Sequence, residues 1–172
     1  MNNSSNQGLV REPIAQAPAH YTNQTSSQNQ QLQNHTSLTD FGPGPFVVDI
    51  VKTTLNNNNY RTVVWTGANT QLTTMMIKPG EDIGLEVHHH TDQILFIEQG
   101  HGVCQMGAAE SNLTLAQPIF ADYAVFVPAG TWHNITNTGN VPLKLYTVYA
   151  PPGHAFGAVH PTKEVAEAEE GH

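Results

Sequence analysis

From Phe46 onward, short apolar-rich runs alternate with clusters of Gly, Pro, Asn and Thr, the rhythm of short strands and tight turns rather than of helices. The runs are Phe46–Val51, Tyr60–Trp65, Gln71–Lys78, Leu85–His90, Ile94–Glu98, Gly102–Met106, Asn112–Ala116, Ala124–Val127, Thr131–Thr136 and Pro142–Tyr149. Asn56-Asn57-Asn58-Asn59, Pro79-Gly80, Gln99-Gly100, Pro128-Ala129-Gly130 and Thr138-Gly139-Asn140 punctuate them. Short strands at such close spacing predict an all-β sandwich or jelly-roll barrel over residues 45–150. Past Pro151-Pro152 the chain is expected to leave the barrel, with residues 151–172 forming an exit segment and a short acidic helix capped by Thr162. The glutamates of that helix read as a solvated face.

Residues 1–44 follow a different pattern. Asn23 to Asn34 is polar, nearly uncharged and almost free of large apolar side chains. Such a segment cannot bury enough surface to offset the entropy of ordering it, so a disordered tail is expected. Gln/Asn-rich tracts also self-associate through side-chain ladders, which makes self-association a second expectation for the tail. Gly42-Pro43-Gly44-Pro45 marks the boundary.

Charge narrows the choice of partners. The formal net charge is −8 and no basic cluster occurs, so nothing could neutralise a run of phosphates or an anionic membrane surface. No apolar stretch reaches the roughly 20 residues of a membrane helix. The N-terminus lacks the basic and apolar regions of a secretory signal. Cys104 is the single cysteine, which excludes an intrachain disulfide; its place in Val103-Cys104-Gln105-Met106 suits strand packing. A reducing, cytoplasmic compartment is the expectation.

Candidate chemistry concentrates in two stretches. In Leu85-Glu86-Val87-His88-His89-His90-Thr91-Asp92-Gln93, strand alternation projects Glu86, His88 and His90 to one face, and Gln93 can face back into the same space. In Pro128-Ala129-Gly130-Thr131-Trp132-His133, an imidazole follows a Pro-Gly turn. Imidazole and carboxylate on rigid strands are metal-site chemistry. On spacing alone, a surface histidine cluster and a core His133 bonded to backbone stand beside that reading.

Together the two stretches resemble the paired motifs of the cupin superfamily. Counting back six residues from Gly100 brings the first motif's Glu position to Gln93, with His88 and Glu86 before it. Pro128, Gly130, His133 and Asn137 match the second motif. Asp82 to His88, Asp92-Gln93 and the later Tyr149-Ala150-Pro151-Pro152 resemble the small bacterial cupins loosely called mannose-6-phosphate isomerase-like. The resemblance implies a single barrel, a homodimer with Phe46–Val51 as a plausible exchange strand, and a metal held by Glu86, His88, Gln93 and His133. A second register uses His88 and His90 as the paired histidines. Departures from the pattern are Glu86 in a His position, Gln93 in the Glu position and Asp122 in place of the second motif's leading Gly.

Two imidazoles, one carboxylate and one amide oxygen suit Mn²⁺, Fe²⁺, Co²⁺, Ni²⁺ or Zn²⁺. Three functions follow: a metal-dependent, isomerase-like enzyme with Glu86 as ligand and proton acceptor; a non-catalytic metal- or ligand-binding module recruited through its tail; and a metal-free structural barrel. Lys52, Arg61, Lys78 and Lys144 are the basic residues of the barrel region, too few to favour a phosphorylated substrate.

Overall fold

The computed structural model describes residues 39–170. Among these, helix α1 (Ile50–Asn56) precedes nine strands: β1 (Arg61–Thr66), β2 (Gln71–Ile77), β3 (Glu86–Val87), β4 (Asp92–Gln99), β5 (His101–Gly107), β6 (Leu115–Phe120), β7 (Ala124–Val127), β8 (Trp132–Asn137) and β9 (Leu143–Ala150). A short β10 (Val159–His160) and helix α2 (Lys163–Glu170) follow. The strands form a six-stranded sheet ordered β10-β1-β2-β9-β4-β7 and a four-stranded sheet ordered β3-β8-β5-β6, all pairs antiparallel. This is the all-β jelly-roll expected from the strand rhythm.

Alternation decides what each strand puts inside. Gln93, Leu95 and Ile97 of β4 are buried, as are their partners Tyr149, Thr147 and Leu145 on β9. The interior therefore grades from an apolar end, where Ile97 and Leu145 join Ile77, Ile135 and Leu143, to a polar end at Gln93 and Tyr149. Cys104 is buried in this core, and burial pushes its thiol up to about 11, which suits packing and not nucleophilic chemistry.

Several expected boundaries move. Phe46–Val51 is not a strand: residues 46–49 carry none, and Ile50 starts α1, because the Asp49 carboxylate accepts the Lys52 N–H at 3.0 Å and caps a helix. The exchange strand expected there is lost with it. The packed unit begins before residue 45. Buried Asp40 accepts hydrogen bonds from the backbone N–H groups of Gly42, Thr66 and Gly157 and from the Thr66 hydroxyl, tying this segment to β1. The remainder of the expected tail, residues 1–38, lies outside the described residues.

The barrel also does not end at residue 150. Arg61 and Thr62 of β1 pair with His160 and Val159, so the supposed exit segment supplies an edge strand. β6 lies later than the expected Asn112–Ala116, sharing only Leu115 and Ala116 with it, and runs through Pro118, which an edge position tolerates. In the last helix Thr162 serves as cap, accepting from Val165 N–H at 3.5 Å. Its glutamates Glu164, Glu167 and Glu169 are exposed, as expected, and Glu169 Oε2 in addition lies 3.0 Å from Nε2 of buried His160.

Candidate metal centre

β3 is only two residues long because its partner runs out. Glu86 and Val87 pair with His133 and Trp132, but beyond Trp132 the β8 chain turns away through Pro128–Thr131. Gly130, at φ +79, makes that turn, and its N–H donates to the His88 carbonyl at 2.8 Å. This bond replaces the missing ladder and holds His88 beside Glu86. His89 and His90 lie on the following bend, exposed and close to each other (ring centroids 6.5 Å apart). His90 is therefore not part of the cluster, and the register based on His88 and His90 has no geometric support.

Glu86, His88 and His133 offer ligand atoms that all lie within 4.8 Å of one another. Glu86 Oε1 stands 3.3 Å from both His88 Nε2 and His133 Nε2. Gln93 Oε1 stands 3.0 Å from His133 Nε2, so the structure puts the fourth expected residue beside the other three. His133 and Gln93 are fully buried; Glu86 and His88 keep a little exposure.

Protons explain why this arrangement suits a cation. His133 Nδ1 lies 3.0 Å from the Thr131 carbonyl, an atom that only accepts, so Nδ1 carries a hydrogen. Gln93 Nε2 donates to the Tyr149 hydroxyl at 3.1 Å, which turns its Oε1 inward. The inner Nε2 of His133 thus faces two oxygen acceptors, and whatever sits among them has to be a proton or a cation. Burial pushes the Glu86 carboxyl up, but hydrogen bonds from His133 and His88 and their charge outweigh it and hold it well below the usual carboxylate range. Its oxygen is therefore charged at neutral pH and could serve a cation. The set of two imidazoles, one carboxylate and one amide oxygen fits a divalent transition metal.

Above the cluster opens a cavity of about 570 Å³, bounded by Glu86, His88, Trp132, His154, His160 and Glu169. Trp132 lies one residue from His133 and forms part of the wall. His154 packs edge-on against Tyr149, ring centroids 4.7 Å apart. Neither Tyr149 nor Glu169 was identified as part of the site from sequence. For Tyr149 the signal was present, because it continues the inward row Leu143, Leu145, Thr147 that ends opposite Gln93.

A cupin domain model matches residues 73–149, which carry Glu86, His88, Gln93, His133 and Tyr149. The chain is 54% identical over 133 residues to the uncharacterized protein YrkC of Bacillus subtilis, spanning 77% of this chain and 72% of that one. The chain belongs to the cupin family. A second relative, the uncharacterized protein L612 of Acanthamoeba polyphaga mimivirus, is 38% identical over 66% of this chain and 70% of its own. The crystal structure of BH2720 from Bacillus halodurans superposes with a TM-score of 0.75 at 54% identity, covering 76% of this chain and 99% of that one.

The departures from the cupin pattern now have physical readings. Asp122, in the leading Gly position, has φ +70, a left-handed conformation that Asp tolerates better than most residues. Asn137, which closes the second motif, is buried and structural: its amide donates to the Ile77 and Val141 carbonyls, and its oxygen accepts from Gly139.

Proposed function

We propose that this cupin holds one divalent transition-metal ion on Glu86, His88 and His133, with Gln93 as a fourth, oxygen ligand, and that it binds a small polar, sugar- or acid-like molecule in the cavity above. The observation that carries this reading is the convergence of His133 Nε2, Glu86 Oε1 and Gln93 Oε1, at 3.0–3.3 Å, with the His133 hydrogen committed to Thr131 on the other side of the ring. Once bound, such an ion supplies a Lewis acid for a carbonyl or enediol oxygen, as isomerisation requires. Glu86, as the charged ligand nearest the cavity, is the candidate proton acceptor.

The walls support a neutral or carboxylate ligand over a phosphorylated one. Among the described residues no Lys or Arg lines the cavity. Of the basic side chains around the barrel, Lys78 pairs with Glu81, Lys144 bonds the Leu55 carbonyl and Lys163 bonds Asp82, while Arg61 Nη1 lies 3.4 Å from Nδ1 of the wall residue His160. Thermal melts of the metal-loaded protein with hydroxy acids, free sugars and sugar phosphates test this. We expect a rise of several degrees with one of the first two classes and none after Glu86→Ala. Stabilisation by sugar phosphates alone would contradict it. A second reading, binding without turnover, is supported by Gln93, because a neutral amide in a position that cupins usually give to a carboxylate weakens the ligand set. Unchanged NMR spectra of a ligand that binds would favour that reading.

A further inference from the structure

The amide of Gln93 has two ends of opposite polarity, and only its oxygen can serve a cation. Rotating the amide by half a turn would aim Nε2–H at His133 Nε2 and remove the fourth ligand. Something must therefore fix which end points inward. Gln93 and Tyr149 are direct cross-strand partners on β4 and β9, and both are 1% exposed. Tyr149 also pairs with Gln71 on β2, so strands on both sides fix its backbone. Its ring is bracketed edge-on by His88, centroids 5.8 Å apart, and by His154 at 4.7 Å. The phenol oxygen cannot swing away, and it takes the Gln93 Nε2 hydrogen at 3.1 Å while Gln93 Oε1 faces His133 Nε2 at 3.0 Å.

We propose that Tyr149 is a positioning residue for the metal centre: when Gln93 Oε1 faces the ion, the Tyr149 hydroxyl accepts from the outward Nε2 and stabilises that orientation. This rests on the metal-binding reading above. A carboxylate in the same position would need no such partner, because both its ends are oxygens. Tyr149 is thus the companion of the amide at position 93, and its contribution should vanish when that amide becomes a carboxylate.

A double-mutant cycle on the full chain tests this, with Co²⁺ affinity read by titration and by the visible absorption of the bound ion. We expect Tyr149→Phe to weaken Co²⁺ binding by about 10- to 100-fold, the range for residues that orient a ligand. In the Gln93→Glu background the same substitution should cost less than about threefold. An equal loss in both backgrounds would mean that the phenol acts on the fold alone, and a loss below threefold with Gln93 present would mean that it does nothing; either overturns the proposal. Orientation can also be read in the unmutated protein loaded with Zn²⁺. Nuclear Overhauser contacts from the Gln93 side-chain NH₂ should reach the Tyr149 ring and not His133 Hε1, and the reverse pattern overturns the proposal. A wild-type chain that fails to bind Co²⁺ would overturn both readings, whereas binding with an uncoupled cycle overturns the role of Tyr149 alone.

Discussion

Ligand-type atoms of four side chains, Glu86, His88, Gln93 and His133, meet at the polar end of the barrel, and the residues around that point differ in what their loss would do. Glu86 brings the charge. Removing it leaves two imidazoles and an amide, so Glu86→Ala should lower metal affinity at least a hundredfold, more than loss of an orienting partner costs, while the fold persists because Glu86 sits on a two-residue strand at a sheet edge. A titration with Co²⁺ and a melting curve read the two effects separately. Asp122 behaves differently, since its importance is conformational. At φ +70 a β-branched residue is strained, so Asp122→Val should cost about 1–2 kcal/mol by chemical denaturation. Asp122→Gly should stay within about 1 kcal/mol of wild type, relief of strain being offset by a freer unfolded chain.

At the level of elements, α2 hangs on a small number of bonds. Lys163 on its first turn bonds the Asp82 carboxylate, Glu169 near its end meets His160, and Ala166 alone is deeply buried. Burial pushes the Asp82 carboxyl up, but hydrogen bonds from Lys163 and Asn134, the Lys163 charge and the Gly84 N–H outweigh it and leave it below the usual range. A group depressed on folding adds stability that is complete above its unfolded value, about 3.9, and is lost as pH falls through its lower folded value. Asp82→Asn should therefore destabilise the chain by about 0.5–1 kcal/mol at pH 7, the pair being partly solvent-screened. The gap from wild type should narrow as pH falls below the unfolded value and close in strong acid, once the folded carboxyl is protonated too. Melting curves of the two proteins across pH 2–7 check this, and a gap that persists in acid would contradict it.

Elements also show where sequence was informative. The strands around Gln71, Ile94 and Leu143 were legible because alternation and turn residues agree there. Phe46–Val51 misled because an apolar run carries no mark of helix or strand, and the deciding signal was one capping carboxylate, Asp49. β10 was missed because two residues show no period, and its pairing with β1 joins positions about a hundred apart in the chain. Glu86, His88, Gln93 and His133 were singled out by the resemblance of their stretches to the paired cupin motifs, anchored on Gly100 and Pro128. Tyr149 and the His160–Glu169 pair depend on which strands become neighbours, which spacing along the chain does not encode.

At the scale of the whole molecule, the described residues present an apolar outer patch on the larger sheet, with Phe126 64% exposed on edge strand β7 beside Ile94. That face supports the homodimer implied by the cupin resemblance, now without an exchange strand at Phe46–Val51. Light scattering should give twice the mass of one chain, and Phe126→Glu should halve it; a monomeric wild type would end the dimer reading. Among the described residues no helix is long and apolar enough to cross a membrane. The central claim, however, concerns the polar end of the barrel. It is tested most directly by elemental analysis of native protein purified without a histidine tag. We predict close to one divalent transition-metal ion per chain in wild type and a small fraction of that in Glu86→Ala. A metal-free wild type that also refuses added metal, or a Glu86→Ala variant with its full metal content, would contradict the account.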